Sequence, residues 1–538
     1  MTDEIAGTPG TGRQASHPTG RPRAPNVSST AFGASAPVLL VCVVLLAGFL
    51  AALLPAGCSS PTVYGRPGTS PAPQTPWVPP RQALAPLSQK TQMPQKAPMP
   101  QTASSPQQAP RFPVPPDSLA ARTDWTLADI VDIALSTSTD TRAAWANARS
   151  AAAAYGSRRG DWLPDVGVSA TTGRSLASST PKNRADETRT YGVAADASWL
   201  LFNFGGRRAA VEETRQALVA ADWTHNAVIQ GTVLKVEQAY YDYLTSKALL
   251  LAEESSRQDA RAILDAAEQR HQAGLATIAD VLQAKTTLSQ VELSLAGIQG
   301  AVATTRGALA TAMGLPANTD FDIDLPVADP PLTEIAASVE TYLEQARTRR
   351  PDLGAARAQA RKSDAHVRKV LADRLPSITA TGSFGRVYRD NPDLFSDPYA
   401  ATIQLRFPLF NGFSNDYDLV QSKADAEATR ARLAGLEQTV ALQVWTSYYG
   451  LKTAEQRLRM TADLLESATQ SHEVAQGRYT AGVGTILDLL SAQSMLERAR
   501  ALRAQAISDW YISLAQLAHD TGVLDTMTPT PPPEGNKP

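Results

Sequence analysis

The sequence predicts an α+β membrane protein in which β-hairpins from several copies close a shared barrel and long helices continue it. Three observations carry this: a unit written twice, two-faced strand patterns in each copy, and two very long proline-free helical tracts. The duplication is clearest in Arg270-His271-Gln-Ala-Gly274-Leu275-Ala-Thr277-Ile-Ala-Asp280, echoed by Arg478-Tyr479-Thr-Ala-Gly482-Val483-Gly484-Thr485-Ile-Leu-Asp488. The spacing is constant (482 − 274 = 208), and it also relates Leu201-Phe202-Asn203 to Leu409-Phe410-Asn411 and Tyr240-Tyr241 to Tyr448-Tyr449. Leu163-Pro164 returns as Leu375-Pro376 at 212, as one loop insertion would produce. Short-period solenoids repeat every 20 to 50 residues; this spacing is that of a duplicated domain half. The 538 residues therefore read as one composite domain with tails rather than three or four domains.

Along the chain, Val38 to Leu54 is the one long apolar run, preceded by Arg13, Arg21 and Arg23 and followed by Pro55-Ala56-Gly57-Cys58. That order is an export signal. The Ala-Gly-Cys ending resembles a bacterial lipobox, with Cys58 as the acylated first residue of the mature chain, although Pro55 stands where such motifs usually place Leu, Val or Ile. An uncleaved transmembrane anchor and ordinary secretory cleavage are the other readings. Residues 1–57 are thus a signal peptide with lipobox. Residues 58–121, rich in Pro, Gln and Ser, are a tether with too little apolar surface to order itself. The repeats follow at 122–330 and 331–522, and 523–538 is a second unstructured tail.

Each repeat opens with a hairpin. Val166, Val168 and Ala170 alternate with Gly167 and Ser169, and Ile378, Ala380, Gly382 and Phe384 alternate with Ser377, Thr379, Thr381 and Ser383. Partner strands are predicted over Val193, Ala195, Ala197, Trp199 and Leu201, and over Ala401, Ile403, Leu405, Phe407 and Leu409, with Thr402, Gln404 and Arg406 facing the other way. Strands of roughly ten residues suit a tilted membrane crossing. Four strands leave two open edges, which lipid does not tolerate, so several copies must complete the barrel. A soluble sheet is the alternative. Trp199, Phe202, Phe407 and Phe410 fall at strand ends, where an interfacial aromatic belt is expected.

After each hairpin, tracts from about Arg207 to Gln272 and from Asn415 to Thr480 hold no proline. At about 1.5 Å per residue each reaches roughly 100 Å, and rods of that length imply coiled-coil walls. Gly274 and Gly482 end the rods in a left-handed cap, and Thr277 and Thr485 start the returning helices, with Asp280 and Asp488 closing Thr-x-x-Asp capping boxes. Each motif is a hairpin tip, far from the strands. The tyrosine pairs are helix packing.

Several functions are disfavoured. Lys+Arg 50 against Asp+Glu 52, with no compact basic aromatic segment, offers nothing to nucleic acid. Two cysteines make no disulfide scaffold, and six histidines show no metal-ligand spacing. No nucleophile, base or metal constellation of a hydrolase is present, and no cofactor is expected.

The paired halves, the Leu-Pro and Leu-Phe-Asn signatures and the Gly-x-x-Thr-Ile-x-Asp tips resemble the TolC-type outer-membrane factor family over about residues 124 to 522. The resemblance implies a homotrimer: a twelve-stranded barrel in outer-membrane lipid, four strands per chain, continued by a long α-helical coiled-coil barrel through the periplasm. It implies a passive exit duct whose tips, at Gly274, Leu275, Thr277, Gly482, Val483 and Thr485, dock a periplasmic adaptor (membrane fusion) protein serving an inner-membrane pump. By the same resemblance Asp488 narrows the entrance, and Tyr479 and Asp280 join neighbouring coiled coils. The chain departs from the family's best-known gate at Gly484 and Ser491, where that gate places an arginine and a second aspartate. His271 replaces the second tyrosine and reads as a solvated surface residue. The lipobox favours efflux of small toxic compounds over the exit channel of a type I protein secretion system. A lipid-anchored periplasmic coiled-coil scaffold is the reading from another class.

Overall fold

The computed structural model describes residues 69–78, 125–179, 184–325, 338–389 and 391–524. The chain divides into two compact units, and the first, Met1–Thr62, lies wholly outside the described residues, as do the export signal and Cys58. The second unit, Val63–Pro538, holds every described element.

Two short helices, α1 (Leu127–Thr137) and α2 (Thr139–Gly160), lead into strands β1 (Asp165–Ser179) and β2 (Arg184–Phe202). The rod α3 (Gly206–Gln272) and its returning helix α4 (Ile278–Ala312) complete the first half. The second half repeats the plan with α5 (Val339–Arg349), α6 (Pro351–Asp373), β3 (Ser377–Arg389), β4 (Asn391–Ser396), β5 (Tyr399–Arg406), α7 (Ser414–Thr480) and α8 (Ile486–Asp520). Both rods have 67 residues and both returning helices 35. The four shorter helices lie outside the tracts that the sequence pattern predicts.

The Leu-Pro and Leu-Phe-Asn signatures are the corners between sheet and rods. Proline lacks the N–H a helix needs and favours extended backbone before it, so α2 and α6 stop and strands begin. At the other corner Phe204 and Gly205 turn left-handed (φ 48° and 89°), and Gly412 and Phe413 do the same in the second half (68° and 65°). Asn203 Oδ1 then accepts from the backbone N–H of Arg207 at 3.2 Å, satisfying a donor of the first turn of α3. Arg207 itself donates to the carbonyls of Asp161 and Leu200 and lies 4.0 Å over the Trp162 ring, pinning strands to rod.

The sheet is antiparallel, in the order β1-β2-β3, with β4 and β5 pairing successive parts of β3. Cross-strand register puts Val166 opposite Ala197, Val168 opposite Ala195, Ala195 opposite Phe384, Trp199 opposite Ala380, and Ala380 opposite Ile403, all on one face. The other face carries Ser169, Asp196, Ser198, Ser383, Thr381, Thr402 and Gln404. The alternation predicted from the sequence is therefore observed. Among the described residues, β1 and the β4/β5 path have no partner strand on their outer edges.

Five expectations need correction. The fourth strand path is split, because Pro398 cannot donate to a ladder; its carbonyl instead accepts from Gly385 N–H at 3.0 Å. Strand β5 ends at Arg406, so Phe407, Leu409 and Phe410 lie in the corner beyond it. Strands of the first hairpin, at 15 and 19 residues, are longer than the roughly ten expected. Finally, Thr69–Val78 is not free tether. Trp77 is buried, 5.4 Å from Trp223 in an edge-to-face arrangement, and its backbone N–H and C=O both pair with the Asn226 side chain at 2.7 Å. Trp145 and His225 donate to the carbonyls of Ser70 and Pro73. At the other end, Leu524 is buried against Leu135, Ile229 and Val233, two residues into the expected tail.

The core is distributed along the rods. Ile130, Val236, Leu309, Met313 and Ile323 form one cluster where α1 crosses α3 and α4; Leu451, Leu458, Ala506 and Trp510 form another between α7 and α8. Tyr241 stacks on Tyr511 at 4.6 Å and Tyr448 packs near Tyr342, the helix packing expected of the tyrosine pairs. Among the described residues no helix is long and apolar enough to cross a membrane.

Candidate functional site: the hairpin tips and the exposed sheet face

Both tips are built by caps. Gly274 adopts φ 73°, Leu275 N–H reaches the Arg270 carbonyl (2.8 Å), and Gly274 N–H reaches that of His271 (2.9 Å). Gly482, at φ 79°, repeats the pattern through Val483 to Arg478 (3.0 Å) and Gly482 to Tyr479 (3.1 Å). This six-to-one and five-to-two pairing satisfies carbonyls that a helix end otherwise leaves open, and glycine accepts the left-handed backbone without a Cβ clash. Thr277 then accepts from Asp280 N–H at 3.3 Å while Asp280 accepts from Thr277 N–H at 2.8 Å; Thr485 and Asp488 do the same at 3.2 and 3.4 Å. Leu275 and Val483 are left facing solvent, 70% and 69% exposed, with Ile278 and Leu487 beside them.

The two tips meet within one chain. Tyr479 is buried at 5% exposure between the hairpins, in a cluster with Ile263, Ala267, Ala284, Ile486 and Leu489. Arg270 donates to the Tyr479 carbonyl at 2.6 Å and lies 4.8 Å over its ring. That carbonyl is in the last turn of α7, where the helix dipole is negative, so a guanidinium is favoured there. Burial pushes the Tyr479 phenol up, with Arg270 opposing and Asp280 adding to the shift. Arg270 opens the repeated motif, yet no pattern in the sequence marks it as a contact.

Asp488 sits apart from this seam, on the open side of the second hairpin, lining a groove with Ser471, Ala475, Arg478, Ser491 and Ala492. Gly484 lines it too; a Cβ there would lie 3.0 Å from that of Arg478, so a larger residue at 484 requires the tip to shift. Among the described residues no group of three or more His, Cys, Asp or Glu is placed to hold a metal ion.

At the opposite end, the apolar sheet face is bare. Val168, Val193, Phe384, Ile403 and Leu405 are 56 to 77% exposed, and no described helix covers them. Apolar surface on that scale, backed by a polar face, is what a strand needs on the lipid side of a barrel. Aromatic side chains bracket it: Trp199 and Phe202 toward the rods, and Tyr191 stacked on Tyr388 at 5.2 Å, with Phe395, toward the far end.

The sequence model of the outer membrane efflux proteins matches residues 130–315 and 342–523, which takes in both rods and both hairpins. The chain belongs to the outer membrane efflux protein family. It is 29% identical to the protein CyaE of Bordetella pertussis over 71% of this chain and 80% of that protein. Against the probable efflux pump outer membrane protein TtgC of Pseudomonas putida the figures are 25%, 71% and 81%. Its fold is that of the outer membrane protein VceC of Vibrio cholerae (TM-score 0.65, 22% identity, 74% of this chain and 96% of that one). An outer-membrane efflux channel extending into the periplasm is thus the role of this member, as the family resemblance implied.

Proposed function

We propose that three copies of this chain form one continuous duct, which passively conducts drugs or other small toxic compounds handed on by an inner-membrane pump through a periplasmic adaptor. Each chain contributes four strand paths to a twelve-stranded barrel, and its rods contribute to a helical tunnel below it. The carrying observation is the uncovered apolar sheet face between two unpaired edges among the described residues. A sheet edge in lipid must be paired, so equivalent edges of neighbouring copies, β1 against β5, are the natural closure. From Tyr191 to Trp199 is eight positions. At about 3.3 Å each and tilted by about 40°, these span roughly 20 Å, close to the ~25 Å apolar band of such barrels.

Cys58, acylated, supplies a second hold on the membrane. The exposed Leu275 and Val483, with Gly274, Thr277, Gly482 and Thr485 fixing their presentation, form the adaptor-docking tips. Asp488 narrows the entrance, repeated three times around the axis, while Tyr479 and Asp280 tie hairpins together there. The name of TtgC as a probable efflux pump component supports the pump partner. The test is to purify the mature protein in detergent, weigh the assembly and insert it into planar bilayers. Trimers with stepwise conductance are expected; a monomer, or a trimer without conductance, overturns the reading.

A further inference from the structure

The apolar face of the sheet changes character at the end away from the rods. Register sets Arg174 of β1 directly opposite Arg189 of β2, both exposed, on the face that carries Val168, Val193 and Phe384. Arg386 of β3 joins them on that face, opposite Val193; it holds Asp397 through two bonds of 2.7 and 2.9 Å and lies 4.7 Å over the Phe395 ring. Against these guanidiniums stand Asp397 and, one register step further out, Glu187 opposite Leu176, so the patch keeps a positive excess. One step toward the rods, Tyr191 and Tyr388, stacked at 5.2 Å, wall a shallow groove of about 310 Å³ completed by Ala170, Thr172 and Val193. An arginine on the lipid side of a barrel is costly at the midplane and nearly free at the interface, so this patch marks headgroup depth.

We propose that the patch seats a phosphate-bearing glycolipid of the outer leaflet, its phosphate against Arg174 and Arg189 and an acyl chain in the groove beside Tyr191 and Tyr388. The inference rests on the barrel reading above and adds a bound lipid to it. The rods extend into the periplasm, so the opposite end of the sheet meets the outer leaflet, whose lipids point charge outward and chains inward. The patch has the same polarity: guanidiniums outermost, then the ring pair, then Val193, Val168 and Phe384. Arginines directly opposite each other on one face repel, and a phosphate accepting from both offsets that repulsion with charge-assisted bonds. Tyrosine at this depth offers a ring to the chain and a hydroxyl to the polar layer. Inorganic phosphate would satisfy the arginines and leave the groove unused.

Native mass spectrometry of the purified trimer in detergent, titrated with bisphosphorylated lipid A, tests this. The parent should take up lipid A, and Arg174→Gln/Arg189→Gln should bind it about tenfold more weakly. Dephosphorylated lipid A should bind the parent as poorly as the intact lipid binds that variant, and excess inorganic phosphate should not displace the lipid. Arg389→Gln, the same charge change on the other face opposite Thr190, should bind like the parent. Equal binding by parent and double variant overturns the proposal, and so does displacement by inorganic phosphate, which would reduce the patch to a phosphate site. If the double variant does not assemble, Tyr191→Ala carries the test: it removes a wall of the groove, and unchanged lipid A binding overturns the proposal. Conducting parent trimers that hold no lipid A overturn it while the barrel reading stands; if the parent forms no trimer, both are overturned.

Discussion

Gly482 and Gly274 hold backbone conformations that an L side chain strains by about 1–2 kcal/mol. Gly482→Ala should therefore speed amide exchange through the last turn of α7 and the tip while leaving the sheet unchanged, which hydrogen exchange resolves residue by residue. Asp222 gives a pH signature. It is fully buried on α3, and burial pushes its carboxyl up to about 8 from the usual 3.8. As pH rises from about 4 to about 8, the unfolded chain releases a proton that the folded chain keeps, so stability falls across that window and levels off above it. Asp222→Asn removes this contribution: its Tm should exceed that of the parent most at pH 8 and converge with it toward pH 4. At this scale the caps were legible, since Thr-x-x-Asp and the glycine before it act within a few residues. The Arg270–Tyr479 contact was not, because it depends on two hairpins lying side by side.

Among the elements, the sheet makes the sharpest statement. Ile403, 75% exposed on the apolar face, is aligned with Ala380 and, through β3, with Trp199. Ile403→Arg should cost about 2–4 kcal/mol if that face meets lipid near the midplane. The loss would be seen as trimers that dissociate at lower temperature on a denaturing gel, while Thr402→Arg, facing the other way, should leave them intact. The docked segment is a second case. Trp77→Ala removes a buried indole, a change worth about 3–5 kcal/mol in a core. Limited proteolysis should then cut residues 69–78 that resist cleavage in the parent. Strand alternation was readable because period 2 survives over many residues; the Pro398 break and the docked decapeptide were not. A window rich in proline and glutamine averages away the single tryptophan that carries the docking, and Asn226, which receives it, is 149 residues distant.

For the molecule as a whole, duplication made the plan legible before any coordinate: two rods of equal length, two returning helices and two tips at constant spacing, with matching corners. The way the halves lean on each other was less so, since contacts between α3 and α6 and between α3 and α8 are set by packing rather than by local pattern. In the proposed trimer, three Asp488 carboxylates would share one mouth, where narrow, low-dielectric walls would concentrate their field. Asp488→Ala should weaken block of the conductance by multivalent cations. Unchanged block would reduce that residue to a helix cap.

Because α3 lies against α8, the first rod cannot finish burying its surface until the last helix has been made and exported. During that interval the strands of both hairpins are already outside the cytoplasm, with their apolar face bare and no neighbour to close against. A chain cut short before residue 486 therefore leaves that surface of α3 uncovered, and proteolysis rather than assembly is its expected fate.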